Sequence, residues 1–310
     1  MKILRDYQFV SAKDRGASAA IGNFDGVHLG HQSVIRLARE VAPDAPLGIL
    51  TFEPHPRAFF APDAPSFRLM SREARASRLE KLGVDVLYEL NFNAALAALT
   101  PEEFARRVIA DGFGLSHVIV GTDFCFGKGR SGTAGHLQEY GTEMGFDVTI
   151  APLMAQTDVT VSSTAIRQAL SDGQPRAAAT MLGHWHRIEG PVISGEQRGR
   201  ELGYPTANMS IDGLHPPAFG VYAVLVDVLE GPHRGSYHGA ASIGVRPMFG
   251  ENRPNLETFI FDFSGDLYGT PLSVALVEHL RPEEKFDSLE ALITQMDRDS
   301  TRARSILAAL

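Results

Sequence analysis

Short apolar runs alternate with segments of helical periodicity through the first half of the chain. Residues 17–21, 47–52, 84–90, 117–121 and 146–150 read as buried strands. Between them, Val34, Ile35, Leu37, Ala38 and Val41 fall on one helical face, and residues 71–82 read as a helix closed by Gly83. Thr100-Pro101-Glu102-Glu103 carries a capping threonine, a proline at the first helical position and a glutamate three residues on, which together predict a helix start. Ser163 or Thr164 is expected to cap a helix that ends before Gly173, and residues 175–182 predict a short connecting helix. Strands alternating with helices predict a parallel sheet covered on both faces. After Leu182-Gly183-His184 the pattern changes. Residues 187–194, 221–229, 237–245, 256–263 and 271–279 read as strands with no helix between them, as in an antiparallel sandwich or small barrel. Asp287-Ser288-Leu289-Glu290 reads as a capping box that opens a C-terminal helix with Leu289, Leu292, Ile293 and Met296 on its apolar face. Two domains are therefore expected, an α/β domain over 1–182 and an antiparallel β-barrel with a C-terminal helix over 183–310.

The length of 310 residues fits two domains, and 44% hydrophobic residues suffice for two cores. A formal net charge of −8 argues against a nucleic-acid binder, which needs a basic footprint. The single cysteine, Cys125, forms no intrachain disulfide and suits a reducing compartment. The charged start Met1-Lys2-Ile3-Leu4-Arg5-Asp6 has no signal-peptide core, and no apolar stretch reaches membrane-spanning length. A soluble, cytoplasmic protein with no membrane association and no evident obligate protein partner is expected.

Chemistry concentrates where strands end. Gly22-Asn23-Phe24-Asp25-Gly26-Val27-His28-Leu29-Gly30-His31 lies at a strand-to-helix turn. Helix N-terminal N–H groups bind anions, glycines admit a phosphate closely, and two imidazoles can donate to one. Two further stretches lie at carboxyl ends of strands, Glu53-Pro54-His55-Pro56 and the glycine-rich 121–133. Ser162-Ser163-Thr164-Ala165-Ile166-Arg167 sets hydroxyls at a helix start with an arginine one turn in, a phosphate-binding set when paired with the histidines. In the second half, Gly195, Arg198, Gly199 and Arg200 suit ATP phosphates, and Thr206 and Asn208 offer neutral oxygens to Mg²⁺. Strand periodicity puts Glu257 on one side with Phe259, Phe261 and Phe263, where it either marks the solvent-exposed end of the strand or, if desolvated, becomes a better base.

His28-Leu29-Gly30-His31 and Ser162-Ser163-Thr164-Ala165-Ile166-Arg167 resemble the two signatures of the nucleotidylyltransferase superfamily. Gly22-Asn23-Phe24-Asp25-Gly26-Val27 and Phe52-Glu53-Pro54-His55-Pro56 narrow the resemblance to the FAD synthetase module of prokaryotic bifunctional riboflavin kinase/FAD synthetases. Leu202-Gly203-Tyr204-Pro205-Thr206-Ala207-Asn208, Gly220-Val221-Tyr222, Ile243-Gly244-Val245-Arg246-Pro247, Glu257, Tyr268-Gly269 and 280–286 resemble the riboflavin kinase module of the same family, in the family's order. The resemblance implies a Rossmann-like first domain that adenylylates FMN with ATP, and a barrel that phosphorylates riboflavin with ATP and Mg²⁺. It implies His28, His31 and Arg167 as catalytic in the first reaction, where the nucleophile is already anionic and needs alignment and charge stabilisation. Gly22, Asn23, Gly30, Ser162, Ser163 and Thr164 would position ATP, and Asp123 would contact the flavin. Glu257 would be the base of the second reaction, in which the nucleophile is a hydroxyl.

Three positions depart from the family: Cys125 where arginine is frequent, Thr133 for a frequent aspartate, and Met248 for a usual threonine. Two other readings stay open, a different nucleotidylyltransferase and a non-catalytic flavin or nucleotide sensor. The Pro-Thr-Ala-Asn run weighs against the first, and retention of both histidines, Arg167 and Glu257 against the second.

Overall fold

The structure, a computed structural model, describes residues 1–152, 161–195, 203–248 and 251–310. Contacts divide the chain into two units, Met1–Ala64 with Arg75–Val161, and Pro65–Ala74 with Ser162–Leu310.

In chain order the first half contains β1 (Lys2–Leu4), β2 (Ser18–Ile21), α1 (Leu29–Val41), β3 (Leu47–Glu53), α2 (Pro56–Phe60), α3 (Arg72–Lys81), β4 (Val86–Asn91), α4 (Ala94–Ala97) and α5 (Pro101–Phe104). A π-helical run, Ala105–Phe113, continues α5, and β5 (His117–Gly121), β6 (Cys125–Phe126), β7 (Gly132–Thr133), α6 (Ala134–Met144) and β8 (Asp147–Ala151) follow. Six strands form one parallel sheet in the order β1-β4-β3-β2-β5-β8. All four residues of β2 are buried, as expected of a strand covered on both faces. Its one polar side chain, Ser18, is satisfied by donating its hydroxyl to the Ala38 carbonyl of α1. From β2 the chain winds outward through β3 and β4, then returns to β5 on the other side. The loops after β2 and β5 thus leave the sheet side by side at a topological switch point, where such sheets bind ligands.

The second half contains α7 (Ser163–Ser171), α8 (Pro175–Leu182), β9 (Arg187–Pro191), β10 (Thr206–Ser210), β11 (Gly220–Val228), β12 (Gly235–Met248), β13 (Glu251–Ile260), β14 (Pro271–Arg281) and α9 (Leu289–Leu307). The antiparallel sheet runs β10-β13-β12-β11-β14-β9. Just past β9, the Ile193 N–H donates to the Asn208 carbonyl of β10 at 2.8 Å, so the two outer strands meet and the sheet closes into a barrel. Val224, Ile243, Leu256, Leu272, Val274 and Leu276 fill its interior. α9 covers one outer face, packing Ala303 and Leu307 against Ala223, Phe261 and Val277.

The parallel sheet, the barrel and the C-terminal helix agree with the sequence expectation. The differences are local. β1, β10 and the short ribbon strands β6 and β7 have no counterpart among the expected strands. α7 is capped by Ser162, whose hydroxyl accepts from the Ala165 N–H, one residue before the expected cap. Ser288, not Asp287, caps α9, because its hydroxyl accepts from the Ala291 N–H. The buried face of α9 is accordingly Asp299, Ala303 and Leu307, while Leu289 is 56% exposed. Phe263 does not share the side of Glu257. Asp262 turns the chain with a left-handed φ of 55° and pairs with Arg304, and Phe263 swings back to pack with Tyr237 on the barrel core.

Candidate active sites

The loop from β2 to α1 is tightly specified. His28 is the N-cap of α1, and its Nδ1 accepts from the His31 N–H at 3.3 Å, which puts the proton of the neutral ring on Nε2. The two imidazoles stack with centroids 3.7 Å apart, and Phe24 closes on His31 from another side at 5.0 Å. A Cβ at Gly30 would lie 3.1 Å from the His28 ring, so glycine between the histidines lets the first fold over the helix end. Burial, with help from His28, pushes the His31 pKa well below its ordinary value, and its Nδ1 is buried without a partner among the described residues. A neutral imidazole with an unused polar atom, at the end of a helix that presents free N–H groups, suits hydrogen bonding to phosphate better than carrying a proton.

The backbone of this loop is held in an uncommon shape. Phe24 (φ 50°) and Val27 (φ 43°) are left-handed and fully buried. Such conformations persist only where surroundings enforce them, and they cluster at functional sites. The surroundings here are specific. The Asn23 carbonyl accepts from Thr51 Oγ1 at 3.2 Å and from Arg75 Nη1 at 3.4 Å. Arg75 is 1% exposed, and its Nη2 also reaches Glu53 at 3.0 Å and Glu89 at 3.3 Å. A buried guanidinium thus ties the ends of β3 and β4 to the loop after β2.

The loop after β5 carries Asp123, which is exposed, then the two-stranded ribbon β6–β7. Thr133 caps α6 in a reciprocal pair with His136, a task an aspartate could also do, so this departure from the family keeps the cap. Cys125 is half-buried in β6. At the carboxyl ends of β3 and β4, Phe52, Phe59, Phe60 and Phe92 pack edge to face, with Phe60 69% exposed. An apolar wall of this kind takes a planar aromatic ligand.

Ser162, Ser163, Thr164 and Arg167 fall on α7, within the second unit. Arg167 Nε donates to the Phe67 carbonyl, and its guanidinium lies 5.5 Å from the centre of the Phe67 ring.

In the barrel, β10 pairs with β13 so that Asn208 sits directly opposite Glu257 and Thr206 opposite Phe259. Thr206 and Asn208, two apart, share a face of β10. Asn255 Nδ2 donates to Asn208 Oδ1 at 3.5 Å and to Glu257 Oε1 at 3.3 Å, drawing the amide and the carboxylate together. Gly195 approaches from the other side: a Cβ there would stand 2.5 Å from Asn208 Nδ2. Gly195 therefore makes room for the Asn208 amide in the first place. A hydroxyl, an amide oxygen and a nearby carboxylate are the hard oxygen donors that Mg²⁺ selects, so the donor set fits that ion. A cavity of about 290 Å³ opens beside Thr206, walled by Pro205, Phe263, Leu267 and Tyr268. Thr258 Oγ1, also lining it, is buried without a partner among the described residues. Arg198, Gly199 and Arg200 lie outside the described residues, as does the side chain of Met248.

Sequence reasoning missed Asn255, Arg75 and the phenylalanine wall. Asn255 had a signal, since it stands two residues before Glu257 in a strand and so on the same face. Arg75, in a helix crowded with charges, had none.

Two family descriptions match the chain: FAD synthetase over residues 10–165 and riboflavin kinase over residues 182–307. The bifunctional riboflavin kinase/FMN adenylyltransferase of Pseudomonas fluorescens is 40% identical over 99% of this chain and 98% of its own length. The proteins of the same description from Escherichia coli K12 and Bacillus subtilis are 38% and 33% identical, over 98% and 97% of this chain and 97% and 96% of their own. A solved structure described as a macrolide-efflux protein from Streptococcus pneumoniae superposes with a TM-score of 0.83 and 32% identity, covering 97% of this chain and 98% of that one. Among the described residues of the present chain, no helix is long and apolar enough to cross a membrane.

Proposed function

The chain belongs to the bifunctional riboflavin kinase/FMN adenylyltransferase family, and on that premise we propose how its residues divide the two reactions. The enzyme phosphorylates riboflavin with ATP to give FMN, then transfers adenylyl from a second ATP to FMN, giving FAD and pyrophosphate. The division falls at 1–182 for adenylylation and 183–310 for phosphorylation.

In phosphorylation a riboflavin hydroxyl attacks the terminal phosphorus of ATP and ADP departs. Glu257 takes the hydroxyl proton as general base. Thr206 and Asn208 hold Mg²⁺, which when bound neutralises phosphate charge. Gly195, Arg198, Gly199 and Arg200 line the phosphates, and the cavity beside Thr206 takes the adenine. In adenylylation the FMN phosphate, already anionic, attacks the first phosphorus of ATP and pyrophosphate leaves. His28 and His31 donate to the charge that develops, with Gly22, Asn23 and Gly30 allowing close approach. Ser162, Ser163, Thr164 and Arg167 are assigned to the ATP phosphates of the same step by the resemblance. Asp123 and the phenylalanine wall hold the flavin. The substrates are riboflavin, FMN and ATP, with no nucleic acid, membrane or obligate protein partner, and the setting is the cytoplasm.

What supports the pair of assignments most is the neutral, stacked His28–His31 pair at a helix N-terminus on one hand and a carboxylate facing an amide across two strands on the other. The first can donate without a base, and the second supplies the base. Chromatography of flavins after incubation with ATP and Mg²⁺ tests both. His28→Ala lowers FAD formation by about 10²- to 10³-fold, the usual cost of one such donor, and leaves FMN formation intact. Glu257→Gln does the reverse when FMN is supplied. Loss of both activities from either change in a folded protein overturns the division.

A further inference from the structure

One residue of the barrel unit grips the helix that carries Arg167. His215 Nε2 stands 3.0 Å from the Arg167 carbonyl and 3.0 Å from Ser171 Oγ. The carbonyl can only accept, so the ring bears its proton on Nε2. The backbone of the same residue acts as well. The His215 N–H donates to the Arg68 carbonyl at 2.7 Å, and Leu214 and Arg68 form a β-bridge. Arg68 adjoins Phe67, whose carbonyl and ring hold the Arg167 guanidinium. Three residues on, the Ala218 N–H donates to the Leu170 carbonyl at 2.9 Å. The loop Leu214–Ala218 therefore holds the backbone of Arg167 and the segment that carries its guanidinium cradle: His215 bonds the Arg167 carbonyl through its ring and Arg68, next to Phe67, through its N–H.

We propose that His215 is a positioning residue for FMN adenylylation: it aims the Arg167 guanidinium by fixing α7 and the Phe67–Arg68 segment to one another. This rests on the assignment of Arg167 to adenylyl transfer. It goes further by making a residue within the riboflavin kinase match, 182–307, necessary to the other reaction. A side chain misplaced by about 1 Å can cost about 10²-fold in rate even when it lies away from the reacting atoms.

The test uses the full chain, with kcat and KM for riboflavin phosphorylation and FMN adenylylation measured separately and thermal unfolding followed alongside. His215→Ala lowers kcat for adenylylation about 10- to 100-fold. Phosphorylation and the unfolding temperature stay close to the parent values. His215→Gln restores adenylylation, because its amide reaches the same place with two N–H groups. In an Arg167→Ala background, His215→Ala has no further effect, a non-additivity that a general loss of packing does not produce. If Arg167→Ala is impaired and His215→Ala is not, or if His215→Ala lowers both activities together with the unfolding temperature, the positioning role is wrong. If Arg167→Ala adenylylates at the parent rate, the assignment of Arg167 itself fails and His215 has nothing to aim.

Discussion

Gly195→Ala separates a steric account of the kinase site from a merely compositional one. The added Cβ would lie 2.5 Å from Asn208 Nδ2, 2.7 Å from Cγ and 2.9 Å from Oδ1. Ordinary carbon contacts begin at about 3.5 Å, so the amide must retreat by roughly 1 Å. It has little slack. Asn208 is 8% exposed, and its side-chain hydrogen bonds, to the Thr206 carbonyl and from Asn255, are both already 3.5 Å long. A retreat of that size breaks them and takes Oδ1 off the face it shares with Thr206. The expected loss in kcat for riboflavin phosphorylation is about 10²-fold, equivalent to about 2.7 kcal/mol of barrier. The Mg²⁺ concentration for half-maximal rate rises, while adenylylation of supplied FMN is unchanged. A Cβ that the native structure has no room for also lowers stability, so thermal unfolding is followed alongside the kinetics. Flavin chromatography across a Mg²⁺ titration reads both effects. Parent kinetics in Gly195→Ala would refute the steric argument, and equal loss of both activities would refute its locality.

Two other outcomes follow from buried charge. Arg75→Met leaves Glu53 and Glu89 without their shared cation, and breaking a buried ion pair costs about 3–5 kcal/mol. Arg5 still pairs with Glu89, so the lower end is expected, together with slower adenylylation as the Asn23 loop loosens; a change under about 1 kcal/mol in urea unfolding contradicts this. His186 is buried neutral, its pKa pushed down from 6.5 to about 3 chiefly by desolvation and further by His184 and His215. The unfolded chain therefore binds a proton first as pH falls, so stability is complete above 6.5 and declines below it by up to about 1.4 kcal/mol per unit until about 3. His186→Leu should flatten that part of the unfolding curve, and an unaltered slope between pH 6.5 and 5 argues that other groups govern it.

Most of the layer structure was legible because periodicity reports burial. β2, β3 and β5 are continuous apolar runs since both faces are covered, and Thr100 makes the reciprocal cap with Glu103 that its spacing announces. β10 was not legible. Pro205 and Asn208 have turn character, and what makes Thr206–Ser210 a strand is its pairing with β13, some fifty positions away. β1 fails to announce itself for a similar reason, being three residues at an edge, tied to β4 alone. Around the sites, the residue types were readable and their supports were not. That Glu257 faces Asn208 depends on register, and that Arg75 reaches Asn23 depends on how a helix and three strand ends converge. The exchange of Phe263 to the barrel interior turned on a single left-handed residue, Asp262, which no hydrophobic pattern encodes.

The closure of the barrel has a consequence for how the protein behaves in the presence of its substrates. The hydrogen bond that joins Ile193 to β10 is accepted by the backbone of Asn208, the residue whose side chain is assigned to Mg²⁺. Opening the seam therefore frees the stretch of backbone that carries that amide. A nucleotide that requires the amide in place binds only the zipped form, and mass action then adds RT ln(1 + [L]/Kd) to its stability, about 2.7 kcal/mol at a hundredfold excess over Kd. Substrate occupancy thereby becomes a term in the half-life of the chain, and a cell rich in ATP protects its flavin-making capacity by keeping this sheet shut.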